Sequence, residues 1–92
     1  DADTRTCCIA ERAVSRALGG SCQVPLAAYC IVENGELWLR AHVGDHRTGE
    51  MITAEARGAY ADPLALAARV VQELETKGAR SLLEKVLRET AA

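Results

Sequence analysis

Aromatic side chains are scarce in this sequence of 92 residues, which has one tryptophan, two tyrosines and no phenylalanine. A hydrophobic core of this chain must therefore be built from Leu, Val, Ile and Ala. A chain of this length folds as one domain that buries about two-thirds of the surface exposed by the unfolded chain. We therefore expect a single domain over residues 1–92.

Long apolar runs and a strong net charge are missing as well. No run approaches the roughly 20 apolar residues that cross a bilayer, and no secretory signal opens the chain. The formal net charge of −2 argues against a nucleic acid or an anionic membrane as a partner recognised by bulk electrostatics. We expect a cytoplasmic protein with no membrane and no nucleic-acid partner.

Paired cysteine motifs are also missing, although the chain has four cysteines. Cys7 and Cys8 are adjacent and no Cys-x-x-Cys occurs, which disfavours both a disulfide framework and a zinc site. His42 and His46 lack a cysteine or carboxylate at ligand spacing, so we expect no metal. The thiols are then reduced, with Cys7 and Cys30 in the core and Cys8 half-exposed.

The first predicted element is a helix from about Thr4 to Leu18. Asp3 or Thr4 is available as its N-cap. Apolar residues recur at i, i+3, i+4 and i+7, which places them on one helix face. This stripe consists of Cys7, Ala10, Val14, Ala17 and Leu18.

Three strands are expected next, at Leu26–Val32, Glu36–Val43 and about Met51–Arg57. Asn34-Gly35 is typical of a type I′ turn, which joins the first two strands as a hairpin and pairs Glu33 with Glu36. Alternate residues then form a core face. Its members are the pairs Val32 with Leu37, Cys30 with Leu39, Ala28 with Ala41 and Leu26 with Val43, followed by Ile52, Ala54 and Ala56.

The opposite side of the sheet, which we call the open face, carries Tyr29, Ile31, Trp38, Arg40 and Arg57. All the apolar stripes of the helices are needed on the core face, and no further amphipathic segment remains to cover the second side. We therefore expect the open face to be uncovered in this chain and Trp38 to be partly exposed.

Two helices complete the chain. Asp62-Pro63 is an N-cap followed by proline at the first helical position, and Lys77-Gly78 ends that helix. A final helix runs from about Ala79 to Arg88. The fold is therefore α+β in the order α-β-β-β-α-α, with three helices on one face of a three-stranded antiparallel sheet. The inward residues are predicted to be Leu64, Ala67, Val71 and Leu74, then Leu82, Leu83, Val86 and Leu87.

A thiol lies between the first helix and the first strand, in the run Gly19-Gly20-Ser21-Cys22-Gln23-Val24-Pro25. We call residues 19–25 the cysteine segment. Its glycines can end a helix and its proline cannot join a sheet ladder, so an extended loop is expected. On an accessible loop Cys22 would be a candidate nucleophile, whereas a free cysteine is more commonly a small buried apolar residue.

The run Ala10-Glu11-Arg12-Ala13 and the stretch from Leu18 through the cysteine segment to Tyr29 resemble the C-terminal domain of the porphobilinogen deaminase family, also called hydroxymethylbilane synthase. The likeness continues through Gly35–Arg40 and Glu55–Gly58 to Lys77-Gly78-Ala79. It implies that Cys22 carries a dipyrromethane cofactor through a thioether. It also implies that the catalytic aspartate and most carboxylate-binding residues lie in two preceding domains that are absent here.

The resemblance implies a domain of a transferase of tetrapyrrole biosynthesis, which joins four porphobilinogen molecules into hydroxymethylbilane and releases ammonia. The isolated domain is then inactive, holds no catalytic residue and is expected to be a monomer. Backbone amides near Gly20 and Ser21 help to position the cofactor. Serine stands before the cysteine where the family often has glycine, which adds a hydroxyl beside the attachment point.

Arg5, Arg12 and Arg16 form a row on the side of the first helix away from its apolar stripe. Such a row is usually a solvated face. The resemblance favours a binding role for Arg12, which aligns with the arginine of the Ala-Glu-Arg motif, because a guanidinium grips carboxylates of the kind that pyrrole substrates carry.

The alternative is a stand-alone binding module, because double-stranded-RNA-binding domains also have the order α-β-β-β-α. Such a module needs lysines near the start of the helix after the third strand. Here that region reads Ala61-Asp62-Pro63-Leu64-Ala65, which is acidic or apolar. The charge pattern therefore disfavours the RNA-binding alternative.

Overall fold

The computed structural model describes residues 1–18, 26–44 and 49–91. It confirms the α+β class and the predicted order of elements. None of the described helices is both long enough and apolar enough to cross a membrane. The elements are α1 (Ala2–Leu18), β1 (Leu26–Glu33), β2 (Glu36–Gly44), β3 (Met51–Ala59), α2 (Pro63–Thr76) and α3 (Ala79–Ala91).

The three strands form one antiparallel sheet in the order β1-β2-β3. Asn34 and Gly35 both have positive φ, 54° and 78°, as a type I′ turn requires. The turn fixes the register, which runs from Glu33 opposite Glu36 to Leu26 opposite Val43 as predicted. Each strand extends one or two residues beyond its predicted end.

The core lies on the predicted side of the sheet. Leu37, Leu39 and Val43 are fully buried there, against α1, α2 and the start of α3. Cys30 is buried as predicted, while Cys7 is half-buried and packs against the same cluster. Among the helix side chains that the structure describes, the buried ones are Ala10, Val14, Leu18, Leu66, Ala67, Val70, Leu74, Ala79, Leu82 and Leu83. The side chains of Val86 and Leu87, also predicted to point inward, lie outside those described.

The beginning of α1 differs from the prediction. The Asp1 carboxylate accepts a hydrogen bond from the Thr4 backbone N–H at 2.7 Å, so Asp1 caps the helix and the expectation of Asp3 or Thr4 was wrong. Ala17, predicted in the apolar stripe, is exposed. Val14 and Leu18, four residues apart on one face of α1, pack in the core. Ala17 lies to one side of this face.

The inward face of α2 also differs from the prediction, which included Ala67 and Leu74 but neither Leu66 nor Val70. Leu64 was predicted inward but is 60% exposed, while Leu66 and Val70 are buried. The Asp62 carboxylate accepts from the Ala65 N–H at 3.1 Å, which sets the start and the rotation of the helix. Gly58 of β3 makes room for Leu66, since a Cβ there would lie 3.1 Å from the leucine Cδ1.

The outer edge of β3 is closed by polar side chains of α2. Arg69 donates to the carbonyl oxygen of Arg57, and Lys77 donates to that of Thr53, at 3.0 and 2.6 Å. Between them, Glu73 accepts from the N–H of Glu55 at 3.1 Å. Four residues along a helix and two residues along a strand both span about 6–7 Å. Residues 69, 73 and 77 therefore stay level with residues 57, 55 and 53 of β3. These bonds fix α2 against the sheet.

Candidate functional site

The cysteine segment lies outside the described residues, and with it Cys22, Gly20 and Ser21. Both of its flanks are described. Leu18 at the end of α1 is 8% exposed, and Leu26 at the start of β1 is half-buried against the core. The structure therefore fixes where the segment leaves the core and where it returns.

Glu11 holds the two flanking elements together. Its Oε2 accepts a hydrogen bond of 2.8 Å from the backbone N–H of Cys30, which faces the outer edge of β1. Outward-facing N–H groups of an edge strand need a partner or water. The bond therefore ties the middle of α1 to the middle of β1, so the two elements bracket the cysteine segment in a fixed relation. The sequence analysis treated Glu11 only as part of a motif and missed this contact.

The arginine row lies on the outer side of α1, as predicted. Arg5, Arg12 and Arg16 are all exposed, and none of their side chains makes a hydrogen bond or ion pair with another described residue. Two exposed arginines elsewhere are paired by contrast: Arg57 lies 2.7 Å from Glu33, and Arg80 lies 3.0 Å from Glu75. Arg12 is therefore free to bind an anion that the described part of the chain does not supply.

Cys30 is not a candidate nucleophile. Burial, followed by a hydrogen bond with Cys7 and by the charges of Cys7 and Glu11, raises the pKa of the Cys30 thiol to about 12. At neutral pH this thiol stays protonated, and a thiol reacts as its thiolate. Cys7 and Cys8 are half-buried on α1. The described parts of the chain contain no group of three or more potential metal ligands.

The open face is uncovered, as expected: Tyr29 and Ile31 are 54% and 40% exposed. Trp38 is half-buried, and the guanidinium groups of Arg40 and Arg57 each lie over its ring, 4.4 Å from the ring centre. The ring N–H also donates to Glu55 at 3.2 Å. Sequence reasoning placed these residues on one face of the sheet but did not name their contacts. The predicted register covered only the first two strands, whereas Trp38 pairs with Arg57 across β2 and β3.

Comparison with known proteins identifies the family. The family model described as "Porphobilinogen deaminase, C-terminal domain" matches residues 5–76. The chain belongs to this family. The match favours the first of the two function classes weighed on the sequence and confirms the resemblance on which that class was based.

Two similar bacterial relatives named porphobilinogen deaminase, from Neisseria meningitidis serogroup A strain Z2491 and serogroup B strain MC58, are 53% identical over 87 residues. A third of that name, from Xanthomonas axonopodis pv. citri strain 306, is 47% identical over 83 residues. These alignments cover 90–91% of this chain but only 27% of each relative. The chain thus spans about a quarter of the length of these relatives.

Proposed function

We propose that this chain is the cofactor-carrying domain of a hydroxymethylbilane synthase, a transferase that joins four porphobilinogen molecules into hydroxymethylbilane and releases ammonia. The observation that carries the proposal is the family match over residues 5–76, together with relatives of that name at 47–53% identity. The anchored flanks of the cysteine segment support it. A monomeric state and a cytoplasmic location stay predictions.

Cys22 is the proposed attachment point of a dipyrromethane cofactor, through a thioether. The chemistry of the other thiols supports this choice, because the pKa of buried Cys30 is raised to about 12 and Cys7 and Cys8 are held within a helix. When bound, the cofactor supplies the nucleophilic pyrrole carbon for chain growth. The protein contributes a fixed point of attachment, and the N–H groups near Gly20 and Ser21 are proposed to orient what is attached.

Arg12 is the proposed carboxylate-binding residue of this domain. Its guanidinium is exposed and has no partner among the described residues, so an incoming carboxylate displaces no existing ion pair. A guanidinium can bind a carboxylate through two parallel hydrogen bonds. The guanidinium groups of the arginine row on α1, unpaired within the described part of the chain, are thus suited to bind a group that carries several carboxylates.

The groups for general acid/base catalysis are proposed to lie in two further domains, because the chain spans only 27% of its relatives. The 92-residue chain alone is therefore expected to be inactive. Incubation of the purified chain with porphobilinogen tests this, and measurable formation of hydroxymethylbilane would contradict it.

Cofactor attachment is tested by changing Cys22→Ser in the full-length polypeptide. We expect complete loss of the cofactor, because a serine alkoxide is not accessible near neutral pH as a thiolate is. Cys8→Ser makes the same chemical change on α1 and should leave the cofactor in place. Intact mass is the measurement, and two pyrrole units still present on the Cys22→Ser protein would refute the proposal.

A further inference from the structure

Arg80 lies at the beginning of α3, yet it contacts the end of α1. Its Nη2 atom donates to the backbone carbonyl oxygen of Ala17 at 3.3 Å. The same nitrogen donates to the Glu75 carboxylate at 3.0 Å. One guanidinium nitrogen with two hydrogens therefore links the last turn of α1 to the last turn of α2, although Arg80 and Ala17 are 63 residues apart in the sequence.

The corner between α2 and α3 holds Arg80 in this position. Gly78 has a φ of +95°, which reverses the chain after α2, and its carbonyl oxygen accepts from the N–H of Leu82 to begin α3. Ala79 between them is completely buried. The backbone next to Arg80 is thus anchored in the core, while the side chain itself reaches across the surface to α1.

The carbonyl that Arg80 caps lies immediately before the cysteine segment. The last four carbonyl groups of a helix have no partner within the helix, and a cation near them also interacts favourably with the helix dipole. Ala17 is one residue from Leu18, where α1 ends and residues 19–25 begin. A contact here stabilises the last turn of α1, from which the following residues start.

We infer that Arg80 is a positioning residue for Cys22: it fixes the helix end from which the cysteine segment departs. This inference rests on the proposed function, in which Cys22 carries the cofactor. Arg80 lies beyond residues 5–76, the part that the family model matches. Arg80 acts on Cys22 only indirectly, through the end of α1. Its replacement should therefore change cofactor loading and kcat, and not substrate affinity.

The first measurement is hydrogen exchange on the 92-residue chain. In Arg80→Ala we expect the amides of Ala17 and Leu18, at the end of α1, to exchange about five-fold faster, the effect of losing one charge-assisted hydrogen bond at a helix end. The amides of β2 should be unchanged. Arg80→Lys keeps the charge and should restore part of the protection. Arg88→Ala removes the same charge elsewhere on α3 and should have no effect.

The second measurement uses the same variants in the full-length polypeptide. Arg80→Ala should lower the cofactor-loaded fraction or kcat several-fold while KM for porphobilinogen changes less than about two-fold. Unchanged exchange would overturn the inference, and so would faster exchange with wild-type loading and kcat. A different result would contradict the proposed function, namely cofactor that is still attached to the Cys22→Ser protein. If Arg80→Ala does not fold, Arg80→Lys and Glu75→Gln weaken the same contact and are read in the same way.

Discussion

The two faces of the sheet are built from alternate residues of the same strands, yet they are stabilised by different interactions. On the core face Leu37, Leu39 and Val43 are fully buried under helices. On the open face Trp38 has no helix above it and contacts two guanidinium groups. The strands therefore depend on burial of aliphatic side chains on one side and on cation–π contacts and exposed ion pairs on the other.

This difference indicates which face carries the stability. Complete burial of a leucine side chain contributes about 1.5–3 kcal/mol, whereas an exposed cation–π contact contributes about 0.5–1 kcal/mol. Of the anchored flanks of the cysteine segment, Leu26 belongs to the core face, and Leu18 of α1 is part of the buried cluster on that side. The core face should thus support both the fold and the candidate site, and the open face should affect the site little.

The largest expected effect is that of Leu39→Ala on the core face. Leu39 is 0% exposed, so its truncation leaves a cavity and should lower the free energy of unfolding by about 2–5 kcal/mol. Ile31→Ala on the open face is the control and should cost less than about 1 kcal/mol. Urea unfolding measures both, and equal losses would mean that the faces do not differ as described.

A smaller effect is expected from the titration of Cys30 on the core face. Its folded pKa, about 12, lies above the ordinary thiol value of about 8.5, so the folded state holds the proton more tightly. This contribution to stability is complete below about pH 8.5 and is lost as the pH rises toward 12. Urea unfolding gives the free energy of unfolding of wild type and of Cys30→Ala at each pH from 8 to 10.5. This free energy should fall less steeply with pH in the variant, and the same slope in both proteins would contradict the assignment.

The smallest effect is expected from the open face. Arg40→Ala should lower the free energy of unfolding by only about 0.5–1 kcal/mol. It should also expose more of the Trp38 ring, over which the Arg40 guanidinium lies, so that acrylamide quenches the fluorescence more strongly than in wild type. A blue-shifted Trp38 that resists quenching in both proteins would show that the open face is covered.

The sheet was predictable because one local signal fixes it. Asn34-Gly35 selects a two-residue turn, and the turn then sets every pair from Glu33 with Glu36 onward. The rotation of α2 was not predictable in the same way. Leu64 and Leu66 begin two stripes that share Ala67 and Leu74, and only the packing of Leu66 against Gly58 separates them.

The candidate site was predictable to a smaller extent. The resemblance identified Cys22 and Arg12, and the structure adds that Arg12 is exposed without a described partner. Contacts between distant residues could not be foreseen, since no local pattern connects Glu11 with the N–H of Cys30 or Arg80 with the carbonyl of Ala17. Such contacts depend on how the helices pack against the sheet.

The central claim, that the cofactor is attached to Cys22, is tested most directly by peptide mapping of the full-length polypeptide. Cleavage at Arg16 and Arg40 gives a peptide that contains both Cys22 and Cys30, and fragment ions that end between them separate the two thiols. We predict the mass of two pyrrole units on the fragments that contain Cys22 and none on those that contain only Cys30. The same mass on Cys30, or on the peptide that contains Cys7 and Cys8, would contradict the claim.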